Sequence, residues 1–237
     1  MTLKGKTILI TGAAGGLGSA LALECAGAGG ELVLLDKDRR GLGMLSDRIT
    51  ALGHGAPGLY PLDLAGAGID EFNELAGTVE REFEGLDGLV HCAVDFDGLQ
   101  PLDQVEPHHW LRSMQVNVNA PWLLSCACLP LLKQSAQGYL LFLLDDLETV
   151  TDAYWGAYGT AKSALAGLVG QFEASLASSA VTVRGIIPGA MRTGFRARVY
   201  HAENPLEQPD PAIVAEKVAA MLEGKTVYEG LVVDLST

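Results

Sequence analysis

Tyr158 and Lys162 stand four residues apart in the segment Tyr158-Gly159-Thr160-Ala161-Lys162. At the start of a helix, that spacing projects both side chains from one face. An ammonium beside a phenol favours the phenolate, which suits the pair to exchanging a proton with a substrate oxygen near neutral pH. As an isolated pentapeptide the pattern would describe two helix-surface residues. A second segment, Thr11-Gly12-Ala13-Ala14-Gly15-Gly16-Leu17-Gly18, carries different chemistry. Its glycines let a backbone bend sharply and approach a pyrophosphate, while the N-terminus of the next helix offers free N–H donors and the positive end of a dipole. Gly12, Gly16 and Gly18 fit that job, with Ala14 and Leu17 sharing the turn. The turn follows an apolar strand and opens an apolar helix, the context that dinucleotide binding requires.

Asp36 closes the second apolar run, where a carboxylate can accept hydrogen bonds from the adenosine ribose hydroxyls. This favours NAD over NADP, although Lys37, Arg39 and Arg40 could instead meet a 2′-phosphate. Asp63, followed by Leu64, could hold the adenine amino group or simply cap a helix. The histidines suggest no metal site: His108 and His109 are adjacent, His54 and His201 are isolated, and no HxxxH or Cys/His grouping occurs. Cys25, Cys92, Cys126 and Cys128 contain no CxxC pair and read as reduced, mostly buried thiols.

Positioning these groups calls for an α/β framework. Strands are predicted at Thr7–Thr11, Leu32–Asp36, Gly58–Leu62, Gly88–Cys92, Tyr139–Leu144, Thr182–Ile187 and Leu231–Asp234. Helices are predicted at Leu17–Ala28, Arg39–Leu52, Ile69–Phe83, His108–Leu132, Tyr158–Ala177 and Ala212–Leu222. The alternation implies a Rossmann-type, doubly wound fold: one domain over residues 1–237, with a mainly parallel seven-stranded sheet and helices on both faces. Stretches 94–106, 145–155 and 188–211 lack periodicity and follow strand C-termini, where open α/β sheets bind ligands.

Composition narrows the partners. With 49% hydrophobic and 19% charged residues, the chain can build a substantial core. A formal charge of −13 argues against nucleic acid, which needs clustered Lys and Arg. The run from Met1 to Lys6 lacks the features of a secretory signal, and no apolar run is as long as a membrane span. A cytoplasmic protein acting on a small molecule, without a membrane partner, is the expectation.

Taken together, these motifs resemble the short-chain dehydrogenase/reductase family across essentially the whole chain. TGxxxGxG matches Thr11 to Gly18, YxxxK matches Tyr158 to Lys162, Asn117 lies in Gln115-Val116-Asn117-Val118-Asn119-Ala120, and PGxxxT matches Pro188 to Thr193. The resemblance implies that Tyr158 is the general acid/base, that Lys162 holds the nicotinamide ribose while tuning Tyr158, and that Asn117 supports a water-linked proton relay. It also implies that Thr193, with the Ile187-Pro188-Gly189 backbone, positions the carboxamide, and that Ala93 lies against the cofactor. Asn117 could instead cap or kink its helix, and Thr193 could simply open the next one. A homodimer or homotetramer, paired through the helices at 108–132 and 158–177, is implied as well.

Two positions depart from the family pattern. A serine thirteen residues before the tyrosine, binding the substrate carbonyl, is replaced by Asp145 in Leu143-Leu144-Asp145-Asp146-Leu147-Glu148. An ionised carboxylate there repels a developing oxyanion. Asp145 could be held protonated and donate a hydrogen bond, could contact a cationic or amino-bearing substrate, or could mark a site without chemistry. The family's Asn-Asn-Ala-Gly becomes His91-Cys92-Ala93-Val94, with Val94 adding bulk near the nicotinamide side and Cys92 read as a packing residue. The leading reading is an NAD-dependent oxidoreductase moving hydride to or from a carbon bearing oxygen. The alternative is a dinucleotide-binding regulatory or scaffold protein on the same fold.

Overall fold

The computed structural model describes residues 3–236; Met1, Thr2 and Thr237, the ends of the expected 1–237 domain, lie outside it. Seven strands form one sheet: β1 (Thr7–Thr11), β2 (Glu31–Asp36), β3 (Gly58–Pro61), β4 (Gly88–His91), β5 (Gly138–Leu143), β6 (Val181–Ile187) and β7 (Val232–Asp234). Every pairing is parallel, in the order β3-β2-β1-β4-β5-β6-β7. The order reverses between β1 and β4, so the connections leaving these two strands turn apart and open a crevice at their C-terminal ends.

Alternating side chains divide the core into two layers. Ile8 and Ile10 of β1, Leu32 and Leu34 of β2 and Leu141 of β5 face one way. They pack on helices α1 (Gly16–Gly27), α2 (Arg39–Ala51) and α9 (Pro211–Leu222). Leu9, Val33, Leu35, Leu140 and Phe142 face the other way, onto α3 (Ile69–Phe83), α5 (Ala120–Leu132) and α7 (Gly156–Leu176). Strands β1, β2, β4 and β5, covered on both faces, read as nearly unbroken apolar runs; the edge strands β3 and β7 are partly exposed, and every strand lies within one residue of its predicted bounds.

The predicted helix at 108–132 departs from regularity. It consists of α4 (Pro107–Met114), a π-helical turn at Gln115–Asn119, and α5. Short helices also occupy the stretches without periodicity: α6 (Leu147–Val150), capped by Asp146, and α8 (Gly194–Val199), capped by Thr193. Single 3₁₀ turns sit at Leu102–Gln104 and Pro205–Glu207. Elements this short carry too few residues to establish a period. Among the described residues, no helix is long and apolar enough to cross a membrane. Cys25 and Cys128 are buried and Cys92 is partly so, whereas Cys126 is exposed on α5.

His91 shows how β4 is tied down. Its Nε2 lies 2.9 Å from the Ser125 hydroxyl of α5, and its ring stacks on Phe142 of β5 with centroids 4.9 Å apart. Burial lowers its pKa from 6.5 to about 3, so it stays neutral in the fold. The unfolded chain takes up the proton near pH 6.5 while the folded chain does not. This contribution is therefore complete above pH 6.5 and fades as pH falls towards 3. Thermal melts should lose about 1.4 kcal/mol of stability per pH unit from this group between about pH 6.5 and about pH 5. His91→Asn, which can keep a bond to Ser125, should show a shallower acid slope; identical slopes would refute the assignment.

Candidate active site

Thr11 ends β1 with its Oγ1 accepting a hydrogen bond from the Ala93 N–H at 3.2 Å, which joins the ends of β1 and β4. Gly12 follows with φ +64°, and a Cβ there would stand 2.7 Å from the Ala93 backbone. Both the left-handed conformation and the close approach require glycine. A Cβ on Gly18 would meet the Gly12 carbonyl at 2.2 Å, and one on Gly16 would meet the Thr193 side chain at 2.7 Å. The first turn of α1 has no side-chain cap, so it opens onto the crevice with its N–H groups available to an anion. Glycines 12 and 18 thus shape the turn itself. Gly16 makes room for the segment that carries Thr193.

A cavity of about 670 Å³ runs along these strand ends. At one end it is lined by Gly12, Ala14, Gly16, Leu17, Gly18, Asp36, Lys37, Asp63 and Leu64. At the other it is lined by Ala93, Val94, Asp145, Tyr158, Lys162, Pro188, Gly189 and Thr193. Of the cofactor candidates read from the sequence, all but Ile187, Arg39 and Arg40 therefore border one continuous space. A volume of this order suits an extended ligand.

Local bonds explain how the walls are held. Asp36 accepts from the Ala14 N–H through Oδ2 and from the Asp38 N–H through Oδ1, each at 3.0 Å. These bonds set the second strand's carboxylate against the glycine turn. Asp63 accepts from the Ala65 N–H at 3.1 Å, organising its own turn while bordering the cavity. Thr193 does two things at once: its Oγ1 accepts from the Arg196 N–H at 3.2 Å, capping α8, and it lines the cavity beside Gly16.

Asn117 is the catalytic candidate that does not reach the cavity wall. It is buried within the π turn, its Oδ1 accepting from the Asp95 N–H at 3.0 Å. Its Nδ2 donates to the Asp95 carbonyl at 2.8 Å and to Ser113 Oγ at 3.0 Å. The side chain thus clamps the loop after β4. Its neighbours Val116 and Asp95 are the ones that line the cavity.

The chemical end centres on one short bond. Tyr158 donates its hydroxyl proton to Asp145 Oδ2 at 2.6 Å, and Asp145 Oδ1 accepts from the Asp146 N–H at 2.9 Å. Both carboxylate oxygens act as acceptors. Burial raises the Tyr158 pKa well above 10, and the charge and hydrogen bond of Asp145 push it further in the same direction. The spacing reading expected Lys162 to draw Tyr158 towards phenolate. Burial and the carboxylate prevail instead. Lys162 donates from Nζ to the Leu143 carbonyl at 2.6 Å and lies 5.6 Å from the Tyr158 ring centroid. Its pKa falls to about 8, mainly because burial disfavours the charge, with Asp145 opposing the fall.

Burial pushes the Cys92 thiol up to about 12, which disfavours the thiolate and fits the packing role. Among the described residues, no group of His, Cys, Asp and Glu is arranged to hold a metal.

The sequence reading missed the aromatic wall. Trp155, Phe195 and Tyr200 line the cavity beside Tyr158, and Phe96 packs behind them. Centroid separations are 5.5 Å for Phe96–Tyr158 and Tyr158–Phe195, and 5.7 Å for Trp155–Tyr158. The signal was present: aromatic residues recur in the three aperiodic stretches that follow strand ends.

With this geometry established, comparisons with known proteins converge. Residues 6–204 match the short chain dehydrogenase family. The chain belongs to that family. The uncharacterized oxidoreductase YciK of Escherichia coli K12 is 32% identical over 210 residues, covering 89% of this chain and 83% of the relative. A short chain dehydrogenase from Salmonella enterica serovar Typhi superposes with a TM-score of 0.93 at 30% identity, covering 99% of this chain and 97% of the other. A chain from Shigella flexneri 2a, solved in complex with NADP, gives a TM-score of 0.93 at 29% identity, covering 100% and 99%.

Substitution at the glycine turn tests this architecture. Gly12→Ala should cost about 1–3 kcal/mol through backbone strain and weaken NADH binding at least about tenfold, read by melting and fluorescence titration. Gly43→Ala within α2, where a Cβ meets nothing within 4 Å, should be neutral or stabilising and leave binding intact.

Proposed function

We propose that the chain acts as one unit, an NAD-dependent oxidoreductase that moves hydride between a nicotinamide and a carbon of a polar small molecule. The observation that carries this reading is the single cavity that joins the glycine turn and Asp36 to Tyr158, Lys162 and Asp145. The donors fit a dinucleotide: glycines that leave backbone room at the turn, an uncapped helix terminus for the pyrophosphate, and a carboxylate at the end of β2 for the ribose. When bound, that group supplies or accepts the hydride.

The chain's own residues do the remainder. Asp36 accepts from the adenosine ribose and repels a 2′-phosphate, which supports NAD, while Lys37 on the same wall offers the counter-charge that NADP would use. Lys162, buried and anchored to Leu143, presents its ammonium at the base of the site to hold the nicotinamide ribose. Pro188, Gly189 and Thr193, which line the same cavity, would hold the carboxamide side of the cofactor. Tyr158 aims a neutral hydroxyl at the reacting group. Asn117 acts through position, fixing the loop that carries Val94 and Asp95. The aromatic wall excludes water from the reacting end. Assembly as a homodimer or homotetramer accompanies this reading through the family resemblance, and a cytoplasmic location through the sequence features of the chain.

Two measurements test it. Wild-type protein should bind NADH more tightly than NADPH, and Asp36→Ser should shrink or reverse that preference by about tenfold or more. An equal or NADPH-favouring wild type would overturn the NAD assignment. Tyr158→Phe should lower kcat at least about 100-fold while leaving NADH affinity within a factor of about two. An unchanged rate would remove Tyr158 from the chemistry.

A further inference from the structure

Resting on that reading of the site, the substrate's chemical class can be inferred from the charge and shape of the reacting end. Asp145 places a carboxylate at hydrogen-bonding distance from the Tyr158 hydroxyl, where the reacting heteroatom must sit to be reached by Tyr158. Asp145 has no cationic partner within ion-pairing distance among the described residues. Asp146 follows it in the chain, and its charge acts together with that of Asp145 on Tyr200 of the same wall. Of the cations nearby, Arg196 is engaged by Glu203 through two bonds of 2.7 Å and lies 4.3 Å over the Tyr200 ring. Lys162 donates to the Leu143 carbonyl and feels the Asp145 charge without forming an ion pair with it, and Arg198 is exposed at the cavity edge.

The remaining walls are rings. Trp155, Tyr158, Phe195 and Tyr200 border the same space, with Trp155 and Tyr200 6.5 Å apart by centroid. Trp155 is held between two left-handed backbone positions, Tyr154 at φ +76° and Gly156 at φ +48°. The Tyr154 carbonyl accepts from the Gln100 N–H at 2.7 Å, which fixes that turn against the loop after β4. Strained backbone retained beside a ligand space indicates that the position of this ring matters. Aromatic faces and a carboxylate together attract cations and repel a developing oxyanion.

We propose that this pocket accepts a protonated nitrogen, an amine or iminium, at the carbon that exchanges hydride, held by Asp145 and the rings of Trp155, Tyr158, Phe195 and Tyr200. In the reductive direction, a C–H bond forms at the iminium carbon with hydride given up by the reduced dinucleotide. The C=N π pair becomes the nitrogen lone pair, and the dinucleotide is left oxidised. No oxyanion forms, so the carboxylate opposes nothing. The substrate N–H takes over Asp145 Oδ2, which frees the one Tyr158 hydroxyl proton to be donated to the emerging lone pair, in keeping with a phenol held well away from phenolate.

The test uses the whole chain loaded with NAD and two probes of similar shape, benzylamine, which is an ammonium near neutral pH, and benzyl alcohol. Calorimetric titration should show benzylamine bound at least about tenfold more tightly. Asp145→Asn should bring the ratio close to one while NADH affinity is retained. Trp155→Leu should weaken benzylamine binding without affecting NADH, which keeps the test decisive if Asp145→Asn fails to fold. A second arm offers 2-methyl-1-pyrroline and cyclopentanone with NADH, and the imine should be the one reduced.

No ammonium preference in the wild type, or a preference unaffected by both substitutions, overturns the proposal. Reduction of the ketone without ammonium preference refutes this inference while leaving hydride transfer standing. Ammonium preference lost in Asp145→Asn, with neither probe reduced, supports the recognition and places the failure in the hydride-transfer reading.

Discussion

Everything at this site depends on how closely the ends of β1 and β4 approach each other. The two strands are neighbours in the sheet, but the chains leaving them diverge, and Gly12 passes so near Ala93 that a side chain has no room. Thr11 then spans the gap with one hydrogen bond to the Ala93 N–H. This contact sets where α1 begins, and so where an anion meets free N–H groups. It also sets where the Val94–Asp95 loop departs, and thus the roof over Tyr158. A binding end and a reacting end some distance apart share one geometric origin.

Tyr158 and Lys162 provide a lesson in how context reverses local chemistry. Four residues apart on a helix, they suggest an ammonium lowering a phenol. In the folded chain the ammonium is itself weakened by burial, while the phenol faces a carboxylate at 2.6 Å. The nearer negative charge prevails, and the hydroxyl is held neutral. A tyrosine in this state keeps its proton and shares it in a hydrogen bond with Asp145.

Much of the fold was legible because its central strands are buried on both faces and its strands are punctuated by glycine and aspartate. The run Thr7–Thr11 followed by a glycine turn could hardly be anything else. The candidate cofactor residues were legible for the same reason, since strand ends and turns are local features. What escaped was whatever needed three separate loops to meet. Phe96, Trp155 and the Phe195–Tyr200 pair come from three different crossovers, and no spacing relates those three. Four-residue α6 and six-residue α8 were invisible because they are caps with hardly a helix attached. Asn117 was recognised as important, but its side-chain partners on Asp95 could be seen only in three dimensions.

The π turn at Gln115–Asn119 has a consequence for how this helix tolerates change. A wide turn takes up one residue more than a regular turn, so the surplus is absorbed locally rather than passed down the rod. Were it passed on, every side chain of α5 would rotate by about 100° around the axis. Leu124, Cys128 and Leu131 would then leave the layer they share with α3. The irregularity thus acts like a slip joint in a drive shaft. Upstream of it, Asn117 holds the Asp95 loop and α4 in place, while downstream the phase required by the core is preserved.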